Sequence, residues 1–318
     1  MSGSIAPRSA INPFTSGRWE MEAKPQNFWG RNHATWFYAM GLGGALFVWS
    51  ALTGRDLGRL LGMSLAHILS LVIIGIGGLV LLADLGRPLQ AWRVYRRPRT
   101  SWISVGFIAD VVFLVSAGLL AIAELAVGDA RPLVWTPWAG DGALRVILIV
   151  IAAAAAMVVM AYPGIVMASS PAIPFWNNML IPAQFIGFAF ASAIALDLGS
   201  AAWQAIDRTA ESSLATAGLV ATGAAGLLLL LHVLNGRYGG VAARASFRWL
   251  IAGDLRSVFL GALAVGVVAP LAAFAWVLGP GDSGLPLAAS VTVAAAAQIG
   301  NWLAKYAVIR AGVYPPFL

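Results

Sequence analysis

Residues 60–82 have the sequence LLGMSLAHILSLVIIGIGGLVLL and contain no charged side chain. These 23 residues exceed the roughly 20 that an α-helix needs to cross the hydrocarbon core of a bilayer. A strand is excluded because the run does not alternate in polarity, and backbone groups in hydrocarbon must otherwise hydrogen-bond within their own segment. The run therefore predicts a membrane-spanning helix.

Seven further apolar runs of similar length occur along the chain. They cover residues 36–52, 103–126, 146–167, 179–196, 214–234, 258–278 and 285–304. The 318 residues are 60% hydrophobic and 10% charged, with a mean hydropathy of +0.82, whereas soluble domains are about 25% charged. We therefore predict an all-α polytopic membrane protein with eight transmembrane helices, arranged as two four-helix bundles.

The chain is expected to divide into three parts. Residues 1–35 form a polar arm with several prolines, and they lack the short apolar core and cleavage site of a secretory signal. Residues 36–167 are expected to form the first four-helix bundle, which would hold the ligand site. Residues 168–318 are expected to form the second bundle and the C-terminal tail.

Basic side chains concentrate on one face of the predicted bundle. With eight spans, fifteen of the 20 lysines and arginines fall on the face that carries both termini. The positive-inside rule therefore places both termini in the cytoplasm, for a chain in the bacterial inner membrane. A sequence pI of about 10.4 does not indicate nucleic-acid binding here, because the basic residues lie in short turns beside the bilayer.

The chain has no cysteine, which excludes iron–sulfur clusters, thiolate zinc sites and covalently attached haem. Three histidines remain, namely His33, His67 and His232. A b-type haem needs two histidines at matching depth on facing helices, and the positions of His67 and His232 predict different depths. We therefore expect no haem and no metal on this chain, although a haem b anchor stays an alternative.

Polar side chains gather where four predicted helices end at the arginine-rich face. These helix ends carry Asn32, His33 and Trp36, then Asp84 and Arg87, then Tyr162, then Trp176 and Asn177. A ligand with a polar head and an apolar tail suits such a place, because its head finds hydrogen-bonding groups while its tail stays in lipid. A quinone has such a polar head and apolar tail.

Four motifs resemble the integral membrane subunit of the polysulfide-reductase type, the NrfD/PsrC family. They are Ala83-Asp84-Leu85-Gly86-Arg87-Pro88, Arg97-Pro98-Arg99-Thr100-Ser101-Trp102, Tyr162-Pro163-Gly164 and Pro174-Phe175-Trp176-Asn177. The resemblance implies an anchor that binds menaquinone or ubiquinone and exchanges electrons with an iron–sulfur partner subunit. It further implies a molybdopterin catalytic subunit that transforms the terminal substrate.

The resemblance also implies the residues of the quinone site. Carried over to this chain, the head-group residues are Asn32, His33 and Tyr162, with Trp36, Trp176 and Asn177 nearby. His33, Tyr162 and Asp84 are the predicted catalytic residues, because an imidazole with an ordinary pKa of about 6.5 can accept a quinol proton near neutral pH.

Asp110 is predicted to lie on a proton path together with Asp84. It stands about nine residues into the third span, roughly 13 Å below the arginine-rich face, where a carboxyl is costly unless it is paired or protonated. A structural role, as a neutral acid bonded to a neighbouring helix, is an equal alternative. A secondary transporter is an alternative for an eight-span protein with such a carboxyl, although the chain lacks paired broken helices.

Five arginines after the second span are expected to contact the partner subunit or lipid phosphate. They are Arg87, Arg93, Arg96, Arg97 and Arg99. Arg87 is also spaced to pair with Asp84. Near the C-terminus, Gln298, Asn301 and Lys305 recur at spacings of three and four, which predicts a polar stripe that joins helices.

Overall fold

The structure is a computed structural model that describes residues 23–204, 207–279 and 285–316. Within these ranges, eight helical spans are long and apolar enough to cross a membrane, as predicted. The first five are α1 (Arg31–Thr53), α2 (Leu65–Asp84), α3 (Trp102–Ala123), α4 (Ala143–Ala168) and α5 (Leu180–Gln204). The later helices are α6 (Arg208–Tyr238), α7 (Val241–Ala252), α8 (Arg256–Leu263), α9 (Ala269–Val277) and α10 (Leu287–Arg310).

The seventh span is built from two helices. A π-helical turn at Ala264–Val268 joins α8 to α9, so that Arg256–Val277 crosses as one unit. The short helix α7 lies between the sixth and seventh spans and was not predicted. A 3₁₀ helix at Pro88–Arg96, between α2 and α3, was not predicted either.

Several helices extend beyond their apolar runs because local capping, rather than hydropathy, sets their ends. Asp207 caps α6 by accepting a hydrogen bond from the Ala210 N–H at 2.6 Å, so this helix begins before its apolar run. The helix α1 begins at Arg31, inside the segment assigned to the polar arm. The residues of the arm before position 23 lie outside the described residues.

The second span begins later than predicted. Strands β1 (Lys24–Pro25), β2 (Arg59–Leu60), β3 (Met63–Ser64) and β4 (Val313–Tyr314) form two small antiparallel pairs. Pairing of β2 with β3 takes residues 59–64 out of the helix, and Ser64 caps α2 by accepting from the His67 N–H. The predicted start at residue 60 was therefore wrong by five residues.

Helix α1 lies at the centre of the fold and packs on α2, α4, α5 and α10. Its glycines allow this close approach: a Cβ on Gly43 would lie 2.6 Å from Ile74 of α2, and one on Gly44 would lie 2.6 Å from Met160 of α4. Helix α3 packs mainly on α4, and α5 packs on α6 and α10. The division into two four-helix bundles stays a prediction.

The predicted polar stripe on α10 does join helices. Gln298 accepts a hydrogen bond from the Tyr38 hydroxyl of α1 at 3.1 Å and donates to the Ser192 carbonyl of α5 at 3.0 Å. Asn301 donates to the Ser192 hydroxyl at 2.9 Å and accepts from the Lys305 ammonium. Lys305 is buried inside the helix packing, so its assignment to the arginine-rich face was wrong.

The two ends of the described chain meet. Lys24 pairs with Tyr314 and Pro25 with Val313. The buried Gln26 side chain strengthens this junction by donating to the Ile309 carbonyl at 3.0 Å and to the Trp29 carbonyl at 2.8 Å. Both ends therefore lie on one face, as an even number of spans requires.

Candidate functional site

A largely apolar cavity of about 430 Å³ lies among α1, α2, α3 and α4, beneath the 3₁₀ helix. This volume is within the range of small-molecule sites. Most of its wall is aliphatic. Polar or aromatic side chains are contributed by Trp29, His33, Trp36, Phe107, Asp110 and Tyr162. The cavity thus brings together His33, Trp36, Asp110 and Tyr162, four of the residues predicted from sequence.

One polar group of the cavity lies near the surface. Asp84, at the end of α2, accepts a hydrogen bond from the Asn32 amide at 3.0 Å and lies 3.5 Å from His33 Nδ1. The His33 ring is mostly buried and stacks on Trp29 with ring centroids 5.0 Å apart, whereas the Asp84 side chain is 34% exposed. A proton held by His33 therefore has a short route to water through Asp84.

A second polar group lies deeper in the membrane. The Tyr162 hydroxyl of α4 donates to Asp110 Oδ2 of α3 at 3.3 Å. The other carboxyl oxygen, Oδ1, is buried and has no hydrogen-bond partner among the described residues. Asp110 thus presents one engaged oxygen and one free oxygen.

Trp36 completes the polar wall, one helical turn below His33. Its indole Nε1–H is buried and also lacks a hydrogen-bond partner among the described residues. An unmet buried donor or acceptor costs about 1–3 kcal/mol, and the great majority of such groups in proteins are satisfied. Two such atoms on the wall of one cavity are polar groups with which a ligand could form hydrogen bonds.

The apolar wall leads towards lipid. Gly75 and Gly78 of α2 line the cavity, and a Cβ at either position would meet no atom within 4 Å. Helices α2 and α3 touch each other far less than α2 touches α1 or α3 touches α4. Leu79 and Val111, which line the cavity on these two helices, are 65% and 46% exposed. The gap between α2 and α3 is therefore an apolar exit.

Trp176 and Asn177, which were predicted to contact the cofactor, do not line this cavity, and neither do the predicted site residues Asn32 and Asp84. The Trp176 indole donates to the Val308 carbonyl at 3.0 Å, and the Asn177 amide donates to the Ala168 carbonyl at 2.7 Å. Trp176 instead stacks on Trp29, with centroids 5.1 Å apart, and so supports the residue that covers His33. Sequence reasoning missed Trp29. The feature that could have indicated it is the aromatic pair Phe28-Trp29, just before α1.

The predicted pairing of Asp84 with Arg87 does not form. In the part of the chain that the structure describes, Asp84 contacts Asn32 and His33 of α1 instead. Arg87, directly before the 3₁₀ helix, is exposed, as are the other four arginines on that helix and the turn after it. Asp84 is thereby part of the site, and the arginines lie outside it.

The remaining histidines lie away from the cavity. Both ring nitrogens of His232 are engaged, by the Gln184 side chain at 2.8 Å and the Phe175 carbonyl at 2.9 Å. His67 stacks on Phe47 near the other end of α2. Across the described ranges, no group of three or more His, Asp or Glu side chains is placed to hold a metal ion.

Comparison with known proteins places this arrangement in a family. No curated protein matched the chain significantly. The family model described as Polysulphide reductase, NrfD, matches residues 19–315, which include all eight spans and the cavity. The chain therefore belongs to the NrfD polysulphide reductase family, whose members are membrane subunits of redox complexes.

Proposed function

We propose that the chain is the quinone-reactive membrane anchor of a multi-subunit oxidoreductase. The observation that carries this proposal is the apolar cavity with two unmatched buried polar atoms, Trp36 Nε1 and Asp110 Oδ1. One hydroxyl of a quinol head can accept from Trp36 Nε1–H and donate to Asp110 Oδ1, and the isoprenoid tail suits the gap between α2 and α3. Menaquinone and ubiquinone share these features. In this proposal, the chain does not transform the terminal substrate.

The His33 end of the cavity would take one proton. A quinol, when bound, supplies two electrons and two protons. His33 Nδ1 faces Asp84, which leaves Nε2 to accept a hydroxyl proton. Asp84 stabilises the resulting imidazolium and, being partly exposed, passes the proton on to water.

The deeper end would hold the second oxygen. Trp36 Nε1–H donates to that oxygen, and Asp110 Oδ1 accepts the proton of its hydroxyl. The Tyr162 hydroxyl keeps the carboxyl in place through Oδ2 and leaves Oδ1 turned to the ligand. Trp36 and Tyr162 thus bind and orient, while His33 and Asp110 move protons.

The electrons must leave through a partner, because a chain without cysteine cannot ligate an iron–sulfur cluster by thiolates. We infer an iron–sulfur subunit docked on the face where His33 and Asp84 lie, since this is the end of the cavity nearest the surface. A molybdopterin catalytic subunit would complete the electron path.

A cavity-filling substitution tests the proposal without touching a polar group. Gly75→Leu is expected to abolish binding of decylubiquinone or menadione to the purified chain, because Gly75 lines the cavity and a Cβ there would meet no atom within 4 Å. Gly223→Leu is the matched control: it is also a helical glycine with open space around it, and it lies in α6. Equal quinone binding by both variants, measured by isothermal calorimetry, would contradict the site.

The polar residues are tested in the assembly that co-purifies with the chain. His33→Ala and Tyr162→Phe are each expected to lower quinol oxidation at least tenfold at matched abundance, with the subunits still bound. Tyr306→Phe is the control, because Tyr306 stacks on Trp302 and lies outside the cavity. Unchanged turnover in both site variants would refute their assignment.

A further inference from the structure

The 3₁₀ helix at Pro88–Arg96 presents three different ridges. A 3₁₀ helix has 3.0 residues per turn, so side chains three apart lie directly above one another. One ridge, Ala91 and Val94, faces inward and lines the roof of the cavity. The other two ridges face outward, because their residues are exposed, whereas Ala91 and Val94 are half-buried.

The second ridge is apolar and exposed. It consists of Leu89, Trp92 and Tyr95, which we call the aromatic ridge, and these side chains are 92%, 46% and 47% exposed. The ridge is followed by Trp102 and Ile103, which are 47% and 41% exposed at the start of the membrane span α3. The 3₁₀ helix packs on the start of α3, where the Ser104 hydroxyl donates to the Val94 carbonyl. The aromatic ridge therefore lies beside a helix end that faces lipid.

The third ridge is basic. It contains Arg93, which donates to Gln90 at 3.1 Å, and Arg96, whose guanidinium lies 4.7 Å from the centre of the Trp92 ring. Beyond it, Arg96, Arg97, Pro98, Arg99 and Thr100 line an open groove, which we call the basic groove. Within the described residues, no carboxylate forms an ion pair with the arginines of this groove. Three guanidinium groups without a counter-ion favour an anion.

We propose that the basic groove and the aromatic ridge together bind an anionic phospholipid. Its phosphate would lie in the basic groove, where arginine forks match phosphate oxygens, and its acyl chains would run along the aromatic ridge. An acidic protein would also satisfy the arginines. The continuity of the aromatic ridge with the lipid-facing surface of α3 favours the lipid, because aromatic side chains beside arginines are typical of the membrane interface.

This site is distinct from the quinone cavity, although the two share a wall. Ala91 and Val94 face the cavity from the helix whose other ridges would hold the lipid. The proposal therefore does not depend on quinone binding and can be tested on the chain alone.

The test is native mass spectrometry of the full chain in micelles that contain equal amounts of phosphatidylglycerol and phosphatidylcholine. The wild type is expected to retain phosphatidylglycerol preferentially. The triple variant Arg96→Gln, Arg97→Gln, Arg99→Gln is expected to retain about tenfold less phosphatidylglycerol than the wild type. Each basic residue near an anionic headgroup adds to the attraction, so three losses weaken it strongly. Soluble glycerol phosphate is expected not to displace the lipid, which separates a headgroup bound with its acyl chains from free phosphate.

A second triple variant is the matched control. Arg237→Gln, Arg248→Gln, Arg256→Gln removes the same charge from exposed positions of α6, α7 and α8, and it is expected to keep the lipid. Equal loss in both triples, or no preference in the wild type, would overturn the proposal. Loss of a co-purifying subunit with lipid retained would show instead that the groove docks a protein. Arg97→Gln alone replaces the triple if thermal unfolding shows that the triple is unstable.

Discussion

The Tyr162 hydroxyl meets Asp110 because the tyrosine ring lies directly against the backbone of Gly106. A Cβ at position 106 would overlap carbon atoms of that ring. The glycine on α3 thus determines where a side chain of α4 can lie, and with it the orientation of the deeper polar group of the cavity.

Gly106→Ala is expected to lower both the thermal unfolding midpoint and the affinity for quinone, because the Tyr162 ring must move to admit the methyl group. Helix propensity alone would favour alanine by roughly 0.5–1 kcal/mol. Gly118→Ala in the same helix meets no atom within 4 Å and should show that gain. Thermal unfolding in detergent compares the two variants, and similar midpoints would mean that Gly106 does not position Tyr162.

Sequence reasoning found most of the polar residues of the cavity because ionisable and aromatic groups beside apolar runs are few. It could not place Trp176 and Asn177, whose polar atoms bond to main-chain carbonyls that carry no sequence signature. It likewise missed Trp29, since stacking on His33 depends on how the chain enters α1.

Among the helices, α1 and α5 are tied together at the face opposite the cavity. Asp197 of α5 is fully buried and accepts hydrogen bonds from the Trp49 indole at 2.7 Å and from Arg55 Nε at 2.6 Å. A nearby pair, Asp56 with Arg59 at 2.9 Å, is of the same type, but its arginine is 64% exposed. The two pairs differ mainly in burial.

Asp197→Ala is expected to destabilise the protein by about 3–5 kcal/mol, because it leaves the Arg55 guanidinium partly buried without its partner. Asp56→Ala should cost about 0–1 kcal/mol, because water replaces an exposed ion pair. Denaturant unfolding of the two variants measures the difference. Equal losses would show that Asp197 does not link α1 to α5.

The apolar runs predicted the existence of each spanning helix but not its ends. The hairpin at residues 59–64 and the 3₁₀ helix both interrupt segments whose composition is compatible with a helix or a loop. Tertiary pairing and capping decide between these states, and a hydropathy pattern carries no information about either.

For the whole molecule, basic residues remain more numerous on one membrane face than on the other when the buried Lys305 is left out of the count. Among the described residues, twelve of the 18 lysines and arginines still belong to the face where β1 meets β4. The positive-inside rule therefore still predicts that this face is cytoplasmic.

The absence of cysteine allows a direct test of this orientation, because any introduced thiol is the one that reacts. Gly140→Cys, in the connection before α4, is expected to react with a membrane-impermeant maleimide applied to the outside of the inner membrane in spheroplasts. Thr100→Cys, beside the arginines, is expected to react after permeabilisation. Both positions are exposed. The reverse labelling pattern would invert the predicted orientation.

The number of spans and their common polar face follow from composition, whereas the helices that border the cavity do not. Lipid tails are as apolar as the helix faces that pack together, so hydropathy does not distinguish a neighbour from lipid. The position of α1 between the other helices depends on Gly43 and Gly44, and glycines occur throughout the spans.

Because the 3₁₀ helix has three ridges, the number of residues ahead of it determines which ridge faces the cavity. Insertion of one residue ahead of Leu89 would turn the following side chains by a third of a revolution and bring a different ridge over the cavity. Insertion of three residues would restore every ridge to its direction. Natural variation in this connection should therefore occur in steps of three, so that Ala91 and Val94, or their equivalents, still face the cavity while the arginines stay outside.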